Sequence, residues 1–193
     1  EMCGTIARIR RETGMQVCVS FGLLGRQQFE KLKAAGVTRV HNNLETSRRY
    51  FPQVCTTHSF EEKTAAIKAA QDAGLKVCSG GIVGLGETWE DRIDMALTLR
   101  MLGIRSVPVN LLSPIPGTPF EENRRLTEEE LERVVAVFRF LLPDAFIRLA
   151  GGRGLMKDKG AGCFRSGANA AITGDMLPTS GYTVGSDRKM LEE

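Results

Sequence analysis

Cys18, His41, Asn43, Glu45, Cys78, Asn110 and Arg148 are the residues whose types could do chemistry together. Each sits in or just beyond a strand candidate, on the less apolar of its two alternating faces, so strand geometry sends them toward one cavity. A buried thiol alone is usually a small hydrophobe. Buried asparagine, arginine and glutamate are different, because each costs free energy unless it finds partners. Together they imply a polar ligand or a charged cofactor, with a structural network around Glu45 and Arg148 as the plainer alternative. A hydrolytic pair of His41 with Cys18 or Cys78 stays open at this point. Cys55 and His58 have a zinc-like spacing, but no second closely spaced ligand pair follows, and they are assigned to a loop.

The densest stretch is KVCSGGIVGLGETWED, residues 76–91. Val77, Ile82 and Val83 are strand formers, and Gly84 and Gly86 permit backbone conformations closed to other residues. Thr88 followed by Asp91 has the form of a helix-opening capping box. A strand, a glycine turn and a helix N-terminus in succession form a place where a ligand can approach the backbone and an anionic group is favoured. A dinucleotide fingerprint is rejected, since its third glycine would fall on Trp89.

The elements that must position these residues alternate along the chain. Strands are expected at 15–20, 37–43, 76–83, 106–112, 145–149 and 170–173, with helices between them. Ser59 with Glu62 and Thr127 with Glu130 repeat the capping-box signal, and Gly36, Gly74 and Pro143 mark helix ends. Val107, Val109 and Leu111 oppose Ser106, Pro108 and Asn110, and Val17 and Val19 oppose Cys18. One apolar and one polar face per strand fits helices outside and a functional interior better than a sheet buried on both sides. The fold class is therefore α/β, a partial (β/α)8 barrel. A full barrel needs about 250 residues and eight units. This chain, taken as a single domain over residues 1–193, supplies about six, with the first two expected upstream.

Composition narrows the function. The net charge of +3 comes with no basic run carrying interleaved aromatics, which argues against nucleic acid. No apolar run is long enough for a bilayer and the first residues lack signal-peptide features, so a cytoplasmic protein without a membrane partner is expected. Five scattered cysteines suit reduced thiols or metal ligands rather than a disulfide framework.

The segments VCVSFG, HNNLETS, KVCSGGIVGLGET, VPVNLLSPIPGTP, IRLAGGRG and FRSGANAAITGDMLPTSG, in this order, resemble the biotin synthase family of radical S-adenosylmethionine enzymes. The resemblance runs across essentially the whole chain. It implies a (β/α)8 barrel that inserts sulfur into dethiobiotin, using a [4Fe-4S] cluster to cleave S-adenosylmethionine and a [2Fe-2S] cluster as sulfur source. It also implies an electron donor and a homodimer. Carried over by position, Cys18 and Cys78 match two cysteine ligands of the [2Fe-2S] cluster and Arg148 its arginine ligand. Asn43 and Glu45 match contacts to the S-adenosylmethionine ribose, and Ile82, Gly84 and Gly86 the segment around its adenosyl group. Asn110 and Asn43 match residues that hold the dethiobiotin ureido ring. Lys63 stands where many relatives have arginine. The C-x3-C-x2-C motif for the [4Fe-4S] cluster and a third [2Fe-2S] cysteine are absent, and both are expected before Glu1. Related barrel enzymes, a hydrogenase-cofactor maturase or a methylornithine-forming mutase, would share the adenosyl site, whereas a degenerate barrel would only bind a ligand.

If two βα units do precede Glu1, the strand at Cys18 and the strand at 170–173 are unpaired edges in this chain. The 193 residues expressed alone are then expected to be aggregation-prone or molten, without cluster or activity. Size-exclusion chromatography with thermal melting checks this, and a soluble monomer with a sharp cooperative melt would overturn it.

Overall fold

The computed structural model describes residues 1–174 and 182–192. The chain runs α1 (Met2–Thr13), β1 (Val17–Val19), α2 (Arg26–Ala34), β2 (Val37–His41), α3 (Phe51–Val54), α4 (Phe60–Asp72), β3 (Lys76–Cys78), β4 (Gly81–Val83), α5 (Trp89–Met101), β5 (Ser106–Leu111), α6 (Glu128–Leu141), β6 (Phe146–Leu149), a 3-10 turn (Arg153–Leu155), α7 (Ala161–Arg165), β7 (Ala170–Ala171) and α8 (Val184–Glu192). The segment DMLPTSG within the family-like stretch 164–181, and Glu193, lie outside the described residues.

All the strand pairs are parallel. β1, β2 and β3 form one ladder and β4, β5, β6 and β7 another, each in chain order. The two are halves of one array, because β3 and β4 are a single strand interrupted at Ser79 and Gly80. Across the interruption Ser79 N–H donates to Ser106 O at 3.0 Å, Leu44 N–H to Gly80 O at 2.9 Å, and Glu45 bridges to Gly81. The continuous strand expected over 76–83 is thus corrected to two. Pro108, in the middle of β5, has no N–H for the ladder, and its carbonyl crowds Gly80 so closely that a β-carbon there would overlap it. The strand yields at the glycine.

Strand parity holds on either side of the break. Val83, Val107, Val109, Ile147 and Leu149 are buried in one apolar cluster with Ala96 and Leu99 of α5 and Leu131, Val134 and Phe138 of α6. Asn110 and Arg148, on the opposite parity, are half-buried. The three capping boxes are formed, by Ser59 with Glu62, Thr88 with Asp91 and Thr127 with Glu130. At the other end, α8 is tied down by the buried Arg153, whose Nη1 and Nη2 donate to Asp187 at 2.9 and 2.6 Å.

Asp91 does more than cap. It is 2% exposed and accepts from Ser47 Oγ at 2.6 Å, Arg49 Nε at 3.0 Å and Thr88 N–H at 2.9 Å, joining the loop after β2 to the start of α5. Burial pushes its carboxyl up, and the hydrogen bonds from Ser47, Thr88 and Arg49 together outweigh this and bring it to about 2. A folded value below the ordinary one of about 3.9 gives stability that is complete above that value and lost as pH falls through the folded value. Asp91→Asn is expected to lower stability by about 2 kcal/mol at neutral pH, with the gap to wild type closing between about pH 4 and pH 2. Urea unfolding followed at several pH values measures both.

Candidate functional site

The interior of the array has a thiol and guanidinium layer toward the start of the strands. Cys18 on β1 pairs in register with Arg39 on β2, and Arg39 with Lys76 on β3. Arg148, on β6, reaches across and donates from Nη1 to Cys78 Sγ at 3.6 Å and from Nη2 to Ser106 Oγ at 2.8 Å. Arg39 Nη1 donates to the same hydroxyl at 3.5 Å. Burial and the neighbouring Cys78 push the Cys18 thiol up, against the opposing pull of Arg39 and Arg148. The buried Cys78 and the exposed Cys18 therefore share this end of the strands with the half-buried Arg39 and Arg148 and the exposed Lys76. Among the described residues none of Arg39, Lys76 and Arg148 is in an ion pair.

Above the floor the side chains are polar but already at work. Asn43 accepts from Gly80 N–H at 3.1 Å, and its amide donates to Glu45 at 3.5 Å. Asn110 donates to Gly81 O at 3.0 Å and accepts from Gly151 N–H at 2.9 Å. Each amide thus braces backbone while keeping one N–H and one lone pair free for a ligand. Glu45 has a left-handed backbone with φ of 70°, rare outside glycine, which marks a conformation enforced by its surroundings. Burial pushes its carboxyl up, and Lys63 and Asn43 pull it back. His41 is held below its usual value by burial first and then by the cations Arg148 and Lys63. These shifts place Lys63 within electrostatic reach of both His41 and Glu45.

The glycine turn after Ile82 is held from three sides. Gly84 and Gly86 have φ of 97° and 102°. Glu87 accepts from Gly84 N–H at 2.9 Å and from Arg92 Nε at 2.7 Å, both partners buried. Tyr50 donates to Leu85 O and Asn123 to Gly84 O. Thr88 and Asp91 satisfy each other's N–H groups, so the Asp91 carboxylate is itself an anion held at the start of α5, and Arg49 pairs with it.

Cys18, Cys78 and Arg148 are thus brought together, as are Asn43 and Glu45, while Asn110 stands across β4 beside Gly81. Cys55 and His58 sit apart from this interior on the loop before α4, with Sγ and Nδ1 3.4 Å apart. Among the described residues no group of three His, Cys, Asp or Glu could hold a metal. Sequence reading missed Arg39, Ser106 and Glu87 as working parts. Ser106 could have been found, since it shares the inward parity of Asn110. Glu87 could have been found only by knowing that the turn folds back on it.

Residues 5–99 match the Radical SAM superfamily and residues 108–193 the Biotin and Thiamin Synthesis associated domain. Methylornithine synthase superposes with a TM-score of 0.82 over 99% of this chain and 61% of its own, at 19% identity. HydG, a maturase of the [FeFe]-hydrogenase, does so with a TM-score of 0.74 over 94% of this chain and 44% of its own, at 18% identity. At these identities the likeness establishes the fold. The fold is the parallel α/β barrel type of those structures, and residues 5–99 carry the Radical SAM match.

Within that class the sequence is more specific. It is 61% identical to biotin synthase of Brachyspira hyodysenteriae over 100% of this chain and 58% of that protein. It is 56% identical to biotin synthase of Akkermansia muciniphila over 100% of this chain and 60% of that protein. Over its whole length the chain is thus similar to biotin synthases, and it spans about 60% of the length of the curated relatives it matches.

Because Arg92 is buried against Glu87, Glu87→Ala leaves a guanidinium without its carboxylate and the glycine turn without its brace. A loss of about 3–5 kcal/mol is expected, with a smaller loss for Glu87→Gln, which keeps an acceptor. Chemical denaturation of the two variants compares them.

Proposed function

We propose that this chain forms, as a single domain, the greater part of a biotin synthase barrel that inserts sulfur into dethiobiotin. The observation that carries the proposal is the floor, where Cys18, Cys78 and Arg148 converge among cations that have no carboxylate partner among the described residues. That donor set fits a [2Fe-2S] cluster. Thiolates hold iron strongly, and unpaired cations favour an anionic group. When bound, this cluster supplies sulfur, and S-adenosylmethionine with a [4Fe-4S] cluster, whose ligands are not in this chain, supplies radical hydrogen abstraction.

The chain's own residues orient and enclose. In this reading the Asn43 amide donates to, and the Glu45 carboxylate accepts from, the ribose hydroxyls of S-adenosylmethionine, and Ile82, Gly84 and Gly86 line its adenosyl group. The free N–H and lone pair on Asn110 and Asn43 suit a ureido ring, which presents both a carbonyl and N–H groups. An electron donor, a homodimer and a cytoplasmic location complete the proposal on family grounds.

In the natural-length protein, Cys78→Ala is expected to abolish the [2Fe-2S] absorption while S-adenosylmethionine binding stays within about twofold, because the two sites use different residues. Reconstitution followed by absorption spectroscopy and equilibrium binding tests this. An unchanged [2Fe-2S] spectrum would refute the ligand role.

A further inference from the structure

Below the floor, at the N-terminal ends of the strands, lies a cavity of about 460 Å³ that none of the assigned residues explains. Arg39, Lys76, Arg105 and Ser106 line it together with Phe146, and no carboxylate does. Arg105 reaches only as far as Asp144, at 4.0 Å and on the exposed surface. Ser106 belongs to the cavity and to the site at once, because its hydroxyl accepts from Arg148 at 2.8 Å and Arg148 in turn touches Cys78. Arg39 joins the same hydroxyl from the other side. Phe146, 59% exposed and on the same strand face as Arg148, stands at the mouth. The cavity is thus a cationic vestibule separated from the buried Cys78 sulfur by one layer of side chains. It lies at the opposite end of the strands from the glycine turn.

We infer that this cavity is a port for a small inorganic anion, hydrosulfide in chemical class, leading to the Cys18, Cys78 and Arg148 group from beneath. A concave site lined by one sign of charge concentrates counter-ions and speeds their arrival. The Ser106 hydroxyl gives the two guanidinium groups an acceptor when no anion is present. Entry here leaves the upper cavity, with Asn43, Glu45 and Asn110, to the larger organic ligands. Hydrosulfide as the natural occupant rests on the cluster reading of the floor, whereas the port itself is testable without any cluster.

The test compares iodoacetate with iodoacetamide, reagents of nearly equal size that differ in charge, on the metal-free natural-length protein, with labelling of Cys78 located by mass spectrometry. In the double variant R39Q/K76Q the iodoacetate rate is expected to fall about tenfold relative to iodoacetamide, and in R39K/K76R the ratio is expected to stay as in wild type. Taking the ratio cancels any change in the thiol itself. Phe146→Trp, which narrows the mouth without altering charge, is expected to slow both reagents alike, and it carries the test if the double variant does not fold. An unchanged reagent ratio in R39Q/K76Q, or undiminished labelling in Phe146→Trp, overturns the port. Uptake of ferrous iron and sulfide is followed separately, as growth of [2Fe-2S] absorption. If wild type never develops that absorption, the cluster reading fails while the labelling result still decides the port.

Discussion

The contact on which the structure depends is the crowding of Gly80 by the backbone of Pro108. Proline in the centre of β5 withholds one ladder hydrogen bond, and the neighbouring strand answers by breaking where it has no side chain to displace. The break lets Lys76–Cys78 follow β2 while Gly81–Val83 follows β5. Four of the candidate site residues meet it. Asn43 holds Gly80 N–H, Glu45 bridges to Gly81, Asn110 holds Gly81 O, and Arg148 reaches Cys78 just before it. A side chain at position 80 or 81 would therefore disturb both the floor and the ligand cavity. Gly81 is closed in by the Glu45 carbonyl and the Met95 sulfur, as Gly80 is by Pro108.

Placing so many polar groups inside a barrel is costly unless each has a partner, and the structure meets this by giving most of them structural duties. Asn43 and Asn110 replace the hydrogen bonds that the strand break removes, so their chemistry and their bracing role are the same interaction seen from two sides. Glu87 does likewise for the turn, with Arg92 as its buried counter-charge. The exception is the floor, where, among the described residues, Arg39 and Arg148 share a serine hydroxyl, Arg148 also reaches a thiol, and the exposed Lys76 is in no ion pair. Uncompensated cations are expected where a ligand, and not the protein, is to supply the negative charge.

Much of this was legible in the sequence, and for identifiable reasons. Capping boxes at Ser59, Thr88 and Thr127 are local patterns, and local hydrogen bonding formed them. The alternation in 106–111 placed Val107 and Val109 against the helices and Asn110 inside, because a period of two survives in any strand with one buried face. The interruption at Ser79 and Gly80 was not legible, since its cause is Pro108, a residue nearly thirty positions away in sequence. Nor were the outside partners at the start of α5. The pattern of Thr88 and Asp91 announced the cap, but not that Ser47 and Arg49 arrive from a different loop to bind the same carboxylate. Arg39 was passed over because an arginine on a short strand resembles any solvated charge until its neighbours are known.

The division of the chain by family also differs from its division by physics. The two family matches meet between residues 99 and 108, just ahead of the middle of β5, whereas the ladder breaks between β3 and β4. Neither boundary separates independent cores. Leu99 from the first match packs in one cluster with Val134, Ile147 and Leu149 from the second, and β4 pairs with β5 across the junction. The site is shared in the same way, with Cys18, Asn43, Glu45 and Cys78 from one side and Asn110 and Arg148 from the other. Neither half could therefore keep its share of the site in place by itself. The cohesion of the parallel array, more than any single ligand residue, sets the spacing between the thiol floor and the amide level above it.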